Sequence, residues 1–334
     1  MTPSPTAFSL RSAAFRSPLL RAVAALALVV IIGVVFNADG AFFKWGTHRD
    51  MFRAISVYGI LGCGMTLVII AGGIDLAVGS MLGLSAVLFS LLAIHAGLSP
   101  VPAVAATLAL GSACGLLSGG LVARFRMQPF IATLAMMVLA RGAAKWVSGG
   151  QKISTIIQKP DGSFANAEIP GVFDVLNSKV LGDNVAVVTL IFLACVVVCW
   201  VILAKLRWGR LLYAIGGNEE AARLSGVPVR SMKLLAYGLS GFFSAVAGIC
   251  QAAQELQGDP EAGATYELTA IAIVVIGGTS LSGGRGGIWL TLIGALTIGY
   301  LEKILSINAV GEDMRLMLTG AIIVGAVLFQ RGRG

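Results

Sequence analysis

Long apolar runs, each close to the length of a membrane-spanning helix, recur along this 334-residue chain. A helix needs about 20 apolar residues to cross a hydrocarbon core of about 30 Å. Because 57% of the residues are hydrophobic and only 12% are charged, a soluble globular domain is excluded. The pattern predicts an all-α, polytopic helical membrane protein with about ten transmembrane helices. The predicted spans cover residues 19–36, 52–71, 77–95, 101–123, 128–147, 185–204, 233–254, 268–281, 287–305 and 314–330.

The charges predict which ends of these helices lie in the cytoplasm, because short cytoplasmic loops carry an excess of Lys and Arg. We predict a cytoplasmic tail at 1–18 and a transmembrane domain at 19–330. With this arrangement, 14 of the 24 Lys and Arg residues lie on the inner side, against three of the 16 acids. Both termini are therefore predicted to be cytoplasmic, with 148–184 as an outer loop and 205–233 as an inner segment. A net charge of +8 that follows the membrane indicates no nucleic-acid partner.

The inner segment 205–233 has the pattern of a short helix with defined ends. Six of its residues are Lys or Arg. Asn218 is a favourable N-cap, acidic residues follow in the first turn, and Gly226 can end the helix. The predicted helix and its caps comprise Asn218, Glu219, Glu220, Ala221, Ala222, Arg223 and Gly226. From these residues alone two interpretations stay open: an ordinary connector, which is the commoner case, and a docking helix for a cytoplasmic partner.

Two glycine-rich stretches interrupt the apolar pattern, and both are predicted to face the inner side. Each follows a β-branched run and leads into another apolar helix, so spans two to four and spans eight to ten form a weak internal repeat. Glycine-broken helices are common in transporters, where irregular backbone at membrane depth is buried in protein or lines a cavity. We predict structural or gating breaks at Gly72, Gly73, Asp75, Gly79, Gly277, Gly278, Gly283 and Gly284.

Asp75 is the one acid in the inner half of the apolar region, and it is expected near the inner face. A carboxylate at membrane depth is a functional candidate because it is expensive to bury. Three roles stay open. Asp75 can cap the helix that follows it, which is the commonest use of such a residue, contact a cytoplasmic partner, or handle a substrate or ion.

Three stretches resemble the permease subunits of ribose/galactose-type ATP-binding-cassette (ABC) importers. They read MTLVIIAGGIDLAVGS, IGGNEEAARLSGV and IGGTSLSGGRGG, and together they extend over residues 55–305. The resemblance implies that residues 218–231 form the segment that contacts an ATPase. It also implies that the chain moves a monosaccharide of the ribose, galactose or xylose class across a bacterial inner membrane by ATP-driven alternating access.

The same resemblance implies several partners. They are a separate cytoplasmic ATPase that binds ATP and Mg²⁺, a periplasmic sugar-binding protein, a second permease copy in a homodimer, and membrane lipid. Residues 281–285 read LSGGR, like the signature of ABC ATPases, but the phosphate-binding loop G-x-x-x-x-G-K-[ST] does not occur in the sequence. We therefore expect no catalytic residue, cofactor or metal on this chain.

A sugar pathway needs hydrogen-bonding side chains and aromatic rings in a mostly apolar cavity. The candidates within the spans are Thr66, Phe130, Thr133, Gln251, Gln254 and Thr297. Each of them alone is more often a helix-packing residue. Two rival functions stay open: an ion-coupled secondary transporter, which needs ionisable groups near the midplane, and a membrane enzyme, which needs a cluster of His, Cys, Asp or Glu.

Overall fold

The computed structural model describes residues 17–158, 163–311, 313–318 and 320–321, and it is almost entirely helical there. Its helices are α1 Pro18–Val35, α2 Trp45–Ile70, α3 Val78–Ser90, α4 Pro100–Arg124, α5 Pro129–Ser148, α6 Gly171–Asn177, α7 Val187–Trp200, α8 Arg207–Gly217, α9 Glu219–Leu224, α10 Val229–Glu255, α11 Tyr266–Ile276 and α12 Ile288–Ile307. Helix α3 continues as π-helix over Leu91–His95, and α7 over Val201–Lys205. The strands are β1 Ile156–Gln158, β2 Phe164–Asn166, β3 Lys179–Val180 and β4 Val185–Ala186.

Eight of the described helices are long and apolar enough to cross a membrane, which confirms the predicted all-α membrane fold. The first seven predicted spans and the ninth each coincide with one of them to within a few residues at most ends. The eighth span is the short helix α11, whose 11 residues rise only about 16 Å. The tenth span, 314–330, lies mostly outside the described residues, as do residues 1–16 of the predicted tail.

Helices α2 and α10 form the centre of the bundle. Helix α2 packs against α7, α10, α11 and α12, while α10 packs against α2, α3 and α4. Small residues bring α4 and α10 into backbone contact, because a Cβ at Gly115 would lie 2.2 Å from the Tyr237 carbonyl oxygen and a Cβ at Gly241 would lie 2.1 Å from that of Gly111. Such approaches between membrane helices are possible only for residues that lack a side chain.

The predicted outer loop folds into a small cap. Strands β1 and β2 form one antiparallel hairpin, and β3 and β4 form another, with α6 between them. The Phe173 side chain of α6 is fully buried and stacks on Phe89 of α3 with 5.0 Å between the ring centroids. This contact fixes the cap to one end of the bundle. We call that end outer, and the end that carries α8 and α9 inner.

Two helices begin inside the bundle after a non-helical segment. Helix α3 follows residues 71–77, the inner re-entrant segment, and α11 follows residues 256–265, the outer re-entrant segment. The outer re-entrant segment runs along α3, since a Cβ at Gly83 would lie 2.6 Å from the Ala262 carbonyl oxygen and a Cβ at Gly79 would lie 2.1 Å from that of Gly263. The starts of α3 and α11 therefore meet in the interior. The outer re-entrant segment connects the outer end of the bundle to the start of α11, which is too short to span the bundle alone.

A testable prediction concerns the contact between α4 and α10. Replacing Gly115 by Leu should destabilise the protein by about 1–3 kcal/mol, because over-packing forces helices apart. Replacing Gly120 by Leu is the matched control, since a Cβ there meets nothing within 4 Å. Thermal unfolding in detergent should show a lower Tm for Gly115→Leu only; equal Tm values for the two variants would contradict the assigned packing.

Candidate functional site: the coupling segment and the two re-entrant segments

The inner segment contains two helices that meet at Asn218. Helix α8 ends at Gly217, and the Asn218 side chain accepts a hydrogen bond of 3.0 Å from the amide of Ala221 at the start of α9. This confirms the predicted N-cap. After α9 the backbone reaches Gly226 at φ +81°, a left-handed conformation that favours glycine and ends the helix.

The side chains of α9 leave much of the helix open to solvent. Ala222 is buried against the bundle, whereas Leu224 is 79% exposed. Glu220 accepts hydrogen bonds of 2.6 and 2.7 Å from Arg223, and this carboxylate raises the pKa of Arg223 above its usual value. Lys233 of α10 binds Glu219 at 2.6 Å. Because exposed ion pairs stabilise little, these contacts orient the helix more than they stabilise it.

Glycines connect the end of α8 to both predicted breaks. The amide of Gly284 donates a 3.0 Å hydrogen bond to the Ile70 carbonyl at the end of α2. A Cβ at Gly216 would lie 1.9 Å from that carbonyl oxygen and 2.5 Å from the Gly284 nitrogen, and a Cβ at Gly283 would lie 2.9 Å from Cα of Gly72. We call Ile70, Gly72, Gly216, Gly283 and Gly284 the inner glycine joint. Here α8, the inner re-entrant segment and the loop after α11 touch through backbone atoms.

The other glycines predicted as breaks lie away from this joint. A Cβ at Gly73 would meet the Tyr237 hydroxyl at 2.5 Å, and one at Gly277 would meet the Leu290 carbonyl oxygen at 2.1 Å. Gly278 has φ +106° and lies beside Pro18 of α1, while Gly79 lies against the outer re-entrant segment. The structure thus brings only three of the seven predicted break glycines into one contact.

The structure places Asp75 in the interior of the bundle. Its carboxylate accepts a 2.7 Å hydrogen bond from Ser240, near the middle of the 27-residue helix α10, and it is fully buried. The carboxylate therefore lies inside the bundle, because the inner re-entrant segment folds back between the helices, and its distance from the membrane face stays a prediction. Asp75 also accepts a 3.0 Å hydrogen bond from the amide of Ala77, so it stabilises the turn that leads into α3.

The outer re-entrant segment is held from α5, a role that the sequence did not reveal. The Arg141 guanidinium donates to the carbonyl oxygens of Pro260 and of Ala262, the latter at 2.8 Å. The Gly258 amide and carbonyl pair with those of Ile153 at 2.8 Å each. Alone, Arg141 looks like a residue that extends toward the membrane surface, and only the facing carbonyls reveal its function.

Ion pairs add to this attachment. Lys152 binds Asp259 at 2.9 Å, and Lys145 binds Glu261 at 2.5 Å. Although partial burial opposes it, hydrogen bonds from the Glu261 amide and from Lys152 hold the pKa of Asp259 below its usual value. The stabilisation by this carboxylate is therefore present at neutral pH and is lost as the pH falls through that lowered pKa.

A testable prediction follows for Arg141. Replacing Arg141 by Met leaves two carbonyl oxygens without their donor, which costs about 1–3 kcal/mol per unsatisfied buried group. Amide hydrogen exchange over residues 256–265 should accelerate in Arg141→Met. Lys145→Met is the control, because its ion pair is exposed and should matter little. Unchanged exchange in Arg141→Met would show that the carbonyls find other donors.

The six candidate pathway residues do not form one group. The hydroxyls of Thr133 and Thr297 each donate to a carbonyl of their own helix, at 2.9 and 2.8 Å. Thr66 is fully buried and hydrogen-bonds with Thr291 at 2.6 Å, and the Phe130 ring is 55% exposed. The three threonines therefore have the contacts of helix-packing positions, whereas the Phe130 side chain is largely exposed.

Gln251 and Gln254 lie one turn apart near the outer end of α10. Gln251 donates to Glu255 at 2.5 Å, and Gln254 donates to the Arg53 carbonyl at 3.4 Å. Tyr266 lies beside Gln251, and its ring contacts the ring of Tyr58. The sequence analysis did not identify these two tyrosines, since isolated tyrosines in apolar runs have no distinguishing spacing.

Known proteins align with this chain over most of its length. Residues 49–327 match the family model described as branched-chain amino acid transport system / permease component. The ribose import permease protein RbsC of Escherichia coli K12 is 41% identical over 304 residues, 91% of each chain. The fructose import permease protein FrcC of Rhizobium meliloti is 34% identical, over 91% of this chain and 84% of the relative. The galactofuranose transporter permease protein YtfT of E. coli K12 is 34% identical over 88% and 82%. No solved structure gives a significant match.

Proposed function

We propose that this chain, which belongs to the family of branched-chain amino acid transport system permease components, is the membrane-spanning subunit of an ABC importer. As a permease of this family with eight candidate spans, the chain is a multi-pass inner-membrane transport subunit rather than an enzyme. Neither the family nor the relatives give support to the ion-coupled alternative.

The cargo that we propose is a monosaccharide. The family description names branched-chain amino acids, but the relatives that match about nine-tenths of this chain are named for ribose, fructose and galactofuranose. All three are neutral solutes dense in hydroxyl groups. A mostly apolar pathway with a few amide, hydroxyl and aromatic groups suits such a solute.

The observation that carries the proposal is the connection between α9 and the inner glycine joint. The ATPase subunit docks on the exposed face of α9, where Leu224 supplies an apolar contact between charged neighbours. A push on α9 reaches α8, and Gly216 of α8 transmits it by backbone contact to Ile70 and Gly284. Because closely packed atoms are hardly compressible, the movement displaces α2 and the loop after α11 together.

ATP binding and hydrolysis occur on the separate ATPase, which holds the nucleotide and Mg²⁺. Closure of two such subunits drives two permease copies from an outward-open to an inward-open arrangement. A homodimer is the simplest assembly, because symmetric pairs of identical subunits are the commonest oligomers. Both termini then face the cytoplasm, in agreement with the distribution of Lys and Arg.

A sugar-binding protein docks at the outer cap. Of the outer acids, Asp259 and Glu261 are already paired with lysines, whereas Glu168, Asp174 and Asp183 are exposed. Exposed carboxylates steer a basic partner surface and fix its register. The outer cap is thus the proposed contact surface, away from the face that binds the ATPase.

A co-purification experiment tests the docking role of α9. The tagged chain is expressed with the proteins encoded beside it, once intact and once with residues 218–228 replaced by a Gly/Ser linker. We expect an ATPase subunit to co-purify with the intact chain only, because the linker removes the whole of α9. Failure of any ATPase to co-purify with the intact chain in mild detergent would reject the ABC importer, and uptake driven by an ion gradient would then be measured.

Two single substitutions in or beside α9 test whether this helix couples ATP hydrolysis to sugar uptake while the rest of the protein stays folded. Gly226→Pro should abolish ATP-dependent sugar uptake, because proline fixes φ near −65° and cannot adopt +81°. Glu220→Lys places like charges beside Arg223, one turn away, and should also uncouple the subunit. If either substitution raises the activation free energy of transport by about 1.4 kcal/mol, the rate of sugar uptake falls tenfold.

The matched control is Gly226→Asn, since asparagine tolerates the left-handed conformation. Uptake and ATP hydrolysis are measured in proteoliposomes with equal amounts of membrane-inserted protein. Normal uptake in both Gly226→Pro and Glu220→Lys would remove the coupling role from this segment.

A further inference from the structure

Two tyrosines and two polar side chains from three helices meet in the outer half of the bundle. The Tyr58 ring of α2 and the Tyr266 ring at the start of α11 lie 4.3 Å apart between centroids, at an interplanar angle of 39°. The Tyr266 side chain also lies beside Gln251 of α10. Gln251 in turn donates to Glu255 at 2.5 Å. We call Tyr58, Gln251, Glu255 and Tyr266 the tyrosine cluster.

The position of the tyrosine cluster suits a solute that arrives from outside. Gln251 and Glu255 end α10 just before the outer re-entrant segment, and Tyr266 follows that segment directly. Glu255 is exposed and both tyrosine rings are half-buried, whereas Gln251 is buried. The cluster is therefore open on one side and fixed on the other, beside the segment that Arg141 holds.

The chemistry of the tyrosine cluster differs from that of simple helix packing. Phenylalanine would fill the same space without bringing two hydroxyl groups into an apolar region, where an unpaired polar group costs free energy. Here two tyrosine hydroxyls lie near an amide that donates to a carboxylate, next to partly exposed ring surface. Together they supply donors, acceptors and an apolar platform within reach of one small molecule.

We propose that the tyrosine cluster is the contact site at which the permease takes the monosaccharide from the outside. The tyrosine rings contact the C–H face of the sugar, while Gln251 and Glu255 hydrogen-bond its hydroxyl groups and so set which sugars pass. This inference rests on the proposed function, because it assigns residues to the substrate of that same importer.

The test compares rates for a sugar and for its deoxy analogue. Uptake of ribose and of 2-deoxyribose is measured in proteoliposomes that contain the permease, its ATPase and saturating loaded binding protein. Saturation removes the affinity of the binding protein from the comparison. The variants are Tyr266→Phe, Tyr266→Leu, Gln251→Met and Glu255→Gln, with Tyr300→Phe as the matched control. Tyr300 is another partly buried tyrosine, whose hydroxyl pairs with His48 at 3.3 Å.

The expected result is a change in the ratio of the two rates. Losing a hydrogen bond to a sugar hydroxyl should shift that ratio by up to about tenfold in Gln251→Met or Glu255→Gln. Tyr266→Leu, which removes the ring, should lower the uptake rates of both sugars. Tyr266→Phe, which keeps the ring, should give rates between those of the wild type and of Tyr266→Leu. Tyr300→Phe should keep the wild-type ratio. Glu255 is exposed, so Glu255→Gln keeps the test valid if a buried variant fails to fold.

Two other outcomes overturn the proposal, and they differ from each other. If every variant slows both sugars equally, the cluster packs the helices and does not contact the solute. If the wild-type system hydrolyses ATP with its partners but imports neither sugar nor any other monosaccharide supplied with its binding protein, the proposed cargo is wrong, and the cluster loses its ligand with it.

Discussion

Backbone amides and carbonyls that leave a helix within a membrane must find partners in the protein, and the interior of this bundle depends on that constraint. Two re-entrant segments carry such groups, and each is paired from outside itself. On the inner side the Ile74 carbonyl accepts hydrogen bonds of 3.4 Å from the hydroxyls of Thr133 and of Tyr237. On the outer side Arg141 binds two carbonyls, and Gly258 pairs with Ile153. Because lipid offers no hydrogen bonds, these contacts keep the irregular backbone within the fold.

The two re-entrant segments are attached to the bundle in different ways. The inner one touches α8 through glycine backbone, where a displacement is transmitted directly and no side chain can absorb it. The outer one also touches glycine backbone, at Gly79 and Gly83 of α3, and in addition the long cationic side chains of Arg141 and Lys152 bind it.

Local features of this fold could be predicted from the sequence, whereas contacts across the bundle could not. The long apolar helices follow from the lengths of the apolar runs, and the Asn218 cap needs only the amide three residues further on. Both features are therefore visible in the sequence. The burial of Asp75 depends on Ser240, 165 positions further on, and Arg141 binds carbonyls 119 and 121 positions away. The glycines predicted the breaks, but a glycine has no side chain that could indicate its partner. The tyrosine cluster joins three helices, and no spacing connects them.

The short length of α11 has a consequence for how the protein is made. Its 11 residues cannot insert into a bilayer as an independent span, and the acidic segment before it, with Asp259 and Glu261, cannot rest in hydrocarbon. We therefore expect residues 256–276 to enter the membrane against the protein surface that α2, α3 and α5 supply. We therefore expect insertion of the carboxyl-terminal part to depend on the amino-terminal part, so that a defect in α5 disturbs a segment some 120 residues downstream.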